Sequence, residues 1–259
     1  MLTADQIKDG ARLLYDAEGN CAAIPRLSEK YPGMALADAY AVQHCWAEIH
    51  VANGARLTGR KIGLTSRAMQ IATGMKEPDY GVLLDTKTHS DGCRLPFDRF
   101  LTPKIEMELA FVLGEDLIGP NVQVADVMHA TRFVQPALEI IDSRTETPRG
   151  ISDSIADNAG FAGIVLGGRI IRPFDVDVRW IGATFAKNGV IEESGVSAAI
   201  LGHPAAGIAW LANALAKMGG LKRGDTVLCG SFIRPVPVAR GDVFHADYGE
   251  LGSVSISFV

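Results

Sequence analysis

The stretch Lys104-Ile105-Glu106-Met107-Glu108-Leu109-Ala110-Phe111-Val112-Leu113 alternates apolar residues with other residues. This period of two predicts a β-strand with one face packed into a core. Glu106 and Glu108 are two residues apart, so both carboxylates project from the opposite face. Two like charges this close repel each other unless a cation lies between them. The stretch therefore predicts a site for a hard divalent ion, with Mg²⁺ as the first choice and Mn²⁺ as the alternative.

The composition narrows the class of protein. The chain has 259 residues, 47% of them hydrophobic, which is enough for one large domain or one domain with a smaller cap. Its net charge of −5 argues against non-specific nucleic-acid binding. Its four cysteines form no C-x-x-C pair, which argues against a zinc site or a disulfide framework. We see no secretion signal and no apolar run near the roughly 18 residues of a membrane span, so the expected location is cytoplasmic, with no membrane contact.

The order of the local signals predicts an α+β fold with a β-rich mixed catalytic domain and a smaller N-terminal helical cap. We assign the cap to residues 1–78 and the β-rich domain to residues 79–259. Helices are expected from the capping box Thr3-Ala-Asp-Gln6, over 36–53, after Thr65-Ser66 and from Pro204. Strands are expected over 57–64, 105–113, 133–141, 161–166, 178–187, 226–230 and 253–259, with Asn188-Gly189 closing a hairpin.

A third acidic residue, Glu139, lies between Leu138 and Ile140 in an apolar stretch. Its carboxylate would be largely buried, which is costly for an ionised group without a partner. The residues alone leave two interpretations open. Glu139 completes a metal site with Glu106 and Glu108, or it is a strand-end residue paired with an arginine such as Arg144.

Several segments together resemble the fumarylacetoacetate hydrolase superfamily, and within it the 2-oxo-4-enoate hydratase branch. The resemblance runs from about residue 30 to the C-terminus, and its combined motifs are highly specific. It implies a rolled sheet or barrel in the β-rich domain. The segments that carry it, besides the E-x-E strand and Glu139, are GRKIGLTS (59–66), EPDYG (77–81), ADNA (156–159), LGHP (201–204), GSFIRP (230–235) and DYGELGSV (247–254).

The resemblance also implies the roles of individual residues. Glu106, Glu108 and Glu139 match the family's Mg²⁺ ligands, and a 2-oxo acid would chelate that ion, which would act as a Lewis acid. Lys61 matches the lysine of the K-I-G motif, which could pair with the substrate carboxylate or move protons. Asp79 stands where hydratases carry aspartate and the sister decarboxylases usually carry an apolar residue. Without the resemblance, Lys61 reads as a solvated surface group and Asp79 as a turn residue.

Three further residues are weaker candidates for binding the substrate. Asn158 could hydrogen-bond near the bound acid, although Asp-Asn is also common in turns. Ser231 could face the site through its hydroxyl or its backbone N–H. Arg234 could pair with a second substrate carboxylate, with a plain surface arginine as the alternative. Cys229 replaces a glycine that is usual in the family, which questions the local backbone geometry.

The expected activity is that of a divalent-metal-dependent hydro-lyase of aromatic catabolism. It would add water to a 2-oxo-4-enoate, with 2-oxohept-4-ene-1,7-dioate as the expected substrate, to give a 4-hydroxy-2-oxo acid. The alternatives are a 4-oxalocrotonate-type decarboxylase of the same fold and a non-catalytic partner subunit of such a decarboxylase. A C–C hydrolase is disfavoured because no His–Glu pair lies near the motifs. The expected partners are a small 2-oxo acid, further copies in a homo-oligomer, and a pathway decarboxylase.

Overall fold

The computed structural model describes the backbone of residues 1–259 and the side chains of all of them except Ala72. Within this description the α-helices are α1 (Ala4–Asn20), α2 (Leu27–Lys30), α3 (Leu36–Ala52), α4 (Arg67–Thr73), α5 (Val124–Ala130), α6 (Ile151–Ala156) and α7 (Pro204–Ala214). The strands are β1 (Leu57–Gly63), β2 (Asp79–Leu84), β3 (Thr88–Ser90), β4 (Cys93–Leu95), β5 (Lys104–Leu113), β6 (Thr131–Ile141), β7 (Phe161–Leu166), β8 (Gly182–Lys187), β9 (Val190–Val196), β10 (Thr226–Leu228), β11 (Val236–Pro237), β12 (Val243–Asp247) and β13 (Ser253–Phe258).

The strands form two mixed sheets. The larger sheet has the order β2-β1-β10-β5-β6-β7-β3, with β11 also paired to β5, and the smaller has the order β4-β13-β12-β8-β9. Most neighbours are antiparallel, but three pairs are parallel: β1 with β10, β3 with β7, and β4 with β13. The predicted α+β, β-rich fold is confirmed. The barrel form of the prediction is not, because the strand order of each described sheet has two free ends.

The alternation predicted for β5 gives the main core. The residues of its core face are at most 1% exposed, namely Ile105, Met107, Leu109, Phe111 and Leu113. They belong to one cluster with aromatic residues of the smaller sheet, such as Phe185 and Phe244, and with Ile208 of α7. Burying each such side chain stabilises the fold by about 1.5–3 kcal/mol. The buried face holds β5 in place, so the opposite face presents its carboxylates at fixed positions.

The N-terminal helices form a second layer with its own core. Thr3 caps α1 through the predicted capping box with Gln6, and α1 packs on α3. Their core cluster extends to Val82 of β2 and Ile155 of α6. Strand β1, at residues 57–63, is hydrogen-bonded inside the large sheet, and the division of the chain at residue 78 stays a prediction. None of the described helices combines the length and the apolar composition that a bilayer crossing requires.

Two local predictions near the smaller sheet have different outcomes. The hairpin at Asn188-Gly189 is confirmed, with φ values of 53° and 83° between β8 and β9. The strand predicted over 178–187 begins only at Gly182. Asp177 accepts a hydrogen bond from the backbone N–H of Arg179 at 3.1 Å, and this cap starts a 3₁₀ turn instead. Local side-chain capping therefore outweighs the β-propensity of the residues that follow Asp177.

Candidate active site

The two longest strands bring three carboxylates together on one face of the large sheet. Glu106 lies directly opposite Glu139 in the antiparallel register of β5 and β6. Glu108 lies opposite Ala137, whose small side chain leaves space for a carboxylate. One oxygen of each of the three glutamates lies within 4.8 Å of the others. The convergence expected from sequence is therefore present in the fold, and we refer to these three residues as the acidic trio.

The trio has fewer hydrogen-bond donors than buried carboxylates require. Oε2 of Glu108 accepts a hydrogen bond from the backbone N–H of Gly230 at 2.8 Å. Oε1 of Glu108 and both oxygens of Glu139 are buried without a hydrogen-bond partner among the described side chains and backbone. Such groups are costly unless a cation or a proton compensates them. Clustered, orphaned carboxylate oxygens are the donor set that a hard divalent ion takes, so the residues fit a Mg²⁺ or Mn²⁺ ion.

Lys61 supplies one positive charge to the trio. It lies on β1, is 4% exposed, and its Nζ lies 3.2 Å from Oε1 of Glu139. Burial lowers the pKa of Lys61, but the carboxylates around it, Glu139 first, outweigh this effect and raise the pKa above its ordinary value. Lys61 is therefore charged throughout the physiological range. A solvated surface lysine, the alternative from sequence, is not what the structure contains.

Asp79 is the first residue of β2, paired with Gly63 of β1. A Cβ atom at Gly63 would lie 2.1 Å from Oδ1 of Asp79, so glycine is needed for the carboxyl group to occupy this place. Asp79 is 3% exposed and its Oδ1 has no hydrogen-bond partner. Burial raises the pKa of Asp79, and the charge of Lys61 opposes that rise. The loop alternative for Asp79 is replaced by a buried carboxyl group on a strand.

A cavity of about 520 Å³ connects these groups to the surface. Lys61, Asp79 and Glu106 line its inner part, and its apolar walls include Met69 and Phe232. A separate cavity of about 410 Å³ near α1 and α3 contains none of the trio. The site chemistry therefore belongs to the first cavity, which offers charged groups inside and apolar walls for a carbon chain.

The three weaker candidates for substrate binding have different surroundings in the structure. Ser231 and Arg234 line the cavity, but the Ser231 hydroxyl donates to the carbonyl of Ile233 at 2.9 Å. The Arg234 side chain is 86% exposed and forms an ion pair of 2.7 Å with Glu193. Asn158 is fully buried, and both polar atoms of its side chain bind the backbone of Val82. Roles for these three residues in substrate binding stay predictions.

Several groups of the site were not identified from sequence. The backbone carbonyl of Ala159 accepts a hydrogen bond from Lys61 at 2.9 Å. The Tyr248 hydroxyl reaches the carbonyls of Glu108 and Ala137, at 2.9 and 2.7 Å, and so ties β5 to β6 beside the trio. A backbone carbonyl cannot be identified from residue type. Tyr248 lies in the DYGELGSV segment that carries the family resemblance, so the sequence did offer an indication of its importance.

Cys229 stands where the family usually has glycine, and the local backbone geometry allows a side chain there. The left-handed φ of 108° belongs to the next residue, Gly230, where a Cβ atom would lie 2.2 Å from Oγ1 of Thr65. Cys229 itself is fully buried and does not have a positive φ. The position therefore accepts a side chain, and the N–H of Gly230 still reaches Glu108.

The charges of the trio predict how metal-dependent stabilisation varies with pH. Burial and then the charge of Glu139 raise the pKa of Glu106 to about 8, and burial and Glu139 also raise the pKa of Glu108. Between about pH 4.5 and 8 the folded, metal-free protein therefore binds more protons than the unfolded chain, and its stability falls as pH rises. Each excess proton lowers Tm by roughly 3 °C per pH unit in a chain of this size.

We therefore expect the Tm increase caused by saturating Mg²⁺ to be small at pH 5.5 and to grow up to about pH 8. Differential scanning fluorimetry with and without metal measures this difference. Titratable groups outside the trio affect both Tm values equally, so their contribution cancels when one Tm is subtracted from the other. A Mg²⁺ effect of equal size at pH 5.5 and pH 8 would contradict the proton-metal competition.

Solved structures of known proteins share the fold of this chain. No protein-family model matches the chain. The solved structure of 4-oxalocrotonate decarboxylase from Pseudomonas putida G7, complexed with magnesium and adipate, matches with a TM-score of 0.97 and 37% identity, over 100% of this chain and 99% of that chain. Fumarylpyruvate hydrolase from Pseudomonas aeruginosa, complexed with Mn²⁺ and pyruvate, matches in fold with a TM-score of 0.60 at 15% identity, over 77% of this chain and 88% of that chain. The fold is thus that of fumarylacetoacetate hydrolase-like proteins.

Comparison with curated protein sequences narrows the family to which the chain belongs. The 2-oxo-hept-4-ene-1,7-dioate hydratase of Escherichia coli is 51% identical over 257 residues, which covers 96% of each chain. The chain therefore belongs to the fumarylacetoacetate hydrolase superfamily, in the branch of 2-oxo-4-enoate hydratases and 4-oxalocrotonate decarboxylases. The similarity also reaches into residues 1–29, where sequence motifs gave little indication of it.

Proposed function

We propose that this protein is a divalent-metal-dependent hydratase that converts 2-oxohept-4-ene-1,7-dioate into a 4-hydroxy-2-oxo acid. One observation carries the proposal: the acidic trio, with its orphaned oxygens, meets a buried lysine and a buried aspartic acid beside one cavity. The hydratase of Escherichia coli with 51% identity supports the choice of substrate.

Glu106, Glu108 and Glu139 are the residues that would hold the ion, Mg²⁺ by preference and Mn²⁺ as the alternative. When bound, the ion supplies Lewis-acid polarisation of the keto group of a 2-oxo acid. Three ionised carboxylates and Lys61 sum to −2, so a divalent ion makes this cluster neutral before the anionic substrate enters.

Lys61 binds the carboxylate beside the keto group. An ammonium group has three N–H donors. One of them donates to the carbonyl of Ala159 at 2.9 Å, and Glu139 is an ion-pair partner at 3.2 Å. The other N–H groups are left to donate to the substrate. A charge-assisted hydrogen bond of this kind orients the 2-oxo acid head and fixes which carbon atoms reach Asp79.

Asp79 exchanges protons with the carbon chain. Burial raises the pKa of Asp79 above its ordinary value, which makes the group a better proton acceptor than an exposed aspartate. A proton leaves C3 and a proton is added at C5, so the double bond moves from C4–C5 to C3–C4 and becomes conjugated with the keto group. Water then adds its oxygen at C4 and a proton returns to C3. The net change is one water added across the original double bond.

The outer part of the cavity binds the remainder of the substrate. Arg234 pairs with Glu193 at the cavity mouth, and it would exchange this partner for the second carboxylate of a dicarboxylic substrate. The backbone N–H of Ser231 is available beside it. The sequence predicted that Asn158 hydrogen-bonds near the bound acid, but both polar atoms of its buried amide bind the backbone of Val82.

Replacing Asp79 with asparagine tests the proton-transfer role. We expect kcat on 2-oxohept-4-ene-1,7-dioate to fall about a hundredfold or more, because a positioned acid–base group contributes this much. Metal content, measured by atomic absorption, is expected to stay at the wild-type value because Asp79 lies outside the trio. Asp85→Asn is the matched control, since Asp85 pairs with the exposed Arg56 away from the cavity. Near-wild-type turnover of Asp79→Asn would remove Asp79 from the mechanism.

Decarboxylation is the rival activity, favoured by the close structural match to a 4-oxalocrotonate decarboxylase. The metal-loaded protein is incubated separately with 2-oxohept-4-ene-1,7-dioate and with 4-oxalocrotonate. We expect the hydrated product from the first and no CO₂ from the second. Release of CO₂ without hydration would reverse the assignment. Absence of both activities in protein that binds a decarboxylase would favour the non-catalytic partner subunit.

We further propose that the chain forms a homo-oligomer and associates with a pathway decarboxylase. Large apolar side chains on its surface support an assembly, among them Ile170, Phe174 and Trp180, which are 59–64% exposed. Apolar surface of this kind is stabilised when another chain covers it.

A further inference from the structure

The turn after α6 has a strained backbone next to Lys61. Asn158 and Ala159 both have a φ of 50°, in the left-handed region that residues with a Cβ atom rarely adopt. Both residues are buried. Strain of this kind persists only where the surrounding structure holds it, and such places are often functional.

Two sets of contacts hold the turn. The Arg144 guanidinium forms a buried ion pair with Asp157 and also donates to the carbonyl of Phe161 at 2.8 Å, so it spans the turn from both ends. The Asn158 amide binds β2: Oδ1 accepts from the N–H of Val82 at 2.8 Å, and Nδ2 donates to its carbonyl at 3.0 Å. Both polar atoms of Asn158 are thereby tied to the backbone of β2.

The held turn presents a backbone acceptor to the lysine. The carbonyl of Ala159 accepts from Nζ of Lys61 at 2.9 Å. Gly81, the neighbour of Val82, lies opposite Lys61 in the strand register. A Cβ atom at Gly81 would lie 2.7 Å from the carbonyl oxygen of Asn158 and 3.2 Å from Cγ of Lys61. The turn, β2 and the lysine are therefore packed without free space between them.

We propose that Asn158 is a positioning residue, which fixes the Ala159 carbonyl so that the Lys61 ammonium is aimed between Glu139 and the substrate. The inference rests on the proposed function of Lys61 as the group that binds the 2-oxo acid. It gives Asn158 an indirect role in place of direct substrate contact.

The chain contains a matched control. Asn213 makes the same pair of hydrogen bonds with the backbone of Val122, at 2.9 and 3.0 Å, away from the cavity. Asn158→Ala and Asn213→Ala thus remove equivalent contacts. A purely structural role for Asn158 predicts that Asn158→Ala, like Asn213→Ala, leaves the Lys61 ammonium unperturbed.

The test combines a spectroscopic signal with kinetics. The ¹⁵N signal of the Lys61 ammonium, assigned by its loss in Lys61→Met, is recorded in metal-free protein. Turnover of 2-oxohept-4-ene-1,7-dioate is then measured for both asparagine variants, for Lys61→Met and for the Lys61→Met/Asn158→Ala double variant. Asn158→Gly serves as a second variant, because glycine adopts a positive φ without strain and keeps the turn foldable.

We expect the Lys61 signal to shift or broaden in Asn158→Ala and Asn158→Gly and to stay unchanged in Asn213→Ala. Turnover should fall on the order of tenfold to a hundredfold in the Asn158 variants, the loss that a small misplacement of a binding group causes. The double variant should be no slower than Lys61→Met, since Asn158 acts through the lysine.

An unchanged Lys61 signal, equal turnover losses for the two asparagine sites, or multiplied losses in the double variant would overturn the proposal. Failure of the proposed function has a different result. A wild-type protein that releases CO₂ instead of adding water would remove the hydratase assignment, while the comparison of Lys61 signals would still decide the role of Asn158.

Discussion

Glu139→Gln is expected to lose metal binding and nearly all turnover. Glu139 is fully buried, neither of its oxygens has a hydrogen-bond partner, and it is the trio member that contacts Lys61. A glutamine has the same shape but offers one neutral oxygen to a divalent ion. The lost Lewis-acid stabilisation is several kcal/mol, which corresponds to roughly a thousandfold in kcat/KM. Mn²⁺ titration by isothermal calorimetry and steady-state kinetics measure the two effects.

Glu192→Gln is the matched control for this variant. Glu192 lies on β9 with an exposed side chain, so the substitution removes the same charge without touching the trio. It should retain wild-type affinity for Mn²⁺ and wild-type turnover. Metal affinity in Glu139→Gln equal to that of Glu192→Gln would show that Glu139 is not a ligand.

Lys61→Met is expected to reduce kcat/KM by two to three orders of magnitude. Removing one partner of a buried, hydrogen-bonded charge pair costs about 2–5 kcal/mol, and each 1.36 kcal/mol corresponds to about tenfold. The affinity for oxalate, a mimic of the 2-oxo acid head, should fall in parallel because the N–H donors of the lysine are lost. Calorimetric titration of the metal-loaded variant with oxalate measures this binding step without turnover.

Lys87→Met separates this effect from loss of stability. Lys87 also forms a largely buried ion pair, with Glu18, but outside the cavity that Lys61 and Glu106 line. Removing either lysine leaves a carboxylate without its partner and should lower the unfolding free energy. Only Lys61→Met should lose oxalate affinity and turnover. Equal losses in both variants would mean that Lys61 acts on stability alone.

The sequence predicted the features that depend on residues close together in the chain. The alternation of β5 identified both its buried face and the face that presents Glu106 and Glu108, because a strand reverses its side chains at every residue. The capping box of α1 and the Asn188-Gly189 hairpin were equally accessible, since each depends on neighbouring residues. The convergence of Glu139 with the pair depended on the register between β5 and β6, which no local pattern contains. Only the family resemblance indicated that convergence in advance.

Other parts of the site depend on three-dimensional packing, which local patterns do not contain. The Pro-Asp-Tyr-Gly pattern alone predicts a turn at Asp79 and gives no indication that β2 pairs with β1 opposite Gly63. Only the family resemblance gave Asp79 a catalytic role. The carbonyl of Ala159 and the N–H of Gly230 are backbone groups that every residue carries. The pairing of Arg234 with Glu193 joins side chains that are distant in sequence.

The central claim is that Glu106, Glu108 and Glu139 hold one divalent ion that receives a 2-oxo acid. The most direct measurement is a diffraction experiment on crystals soaked with Mn²⁺ and oxalate, with data collected for the anomalous signal of manganese. The account predicts one strong anomalous peak between the three carboxylates, with oxalate in contact with the ion and with Nζ of Lys61. A vacant trio at saturating Mn²⁺, or a manganese peak elsewhere with oxalate bound there, would contradict the account.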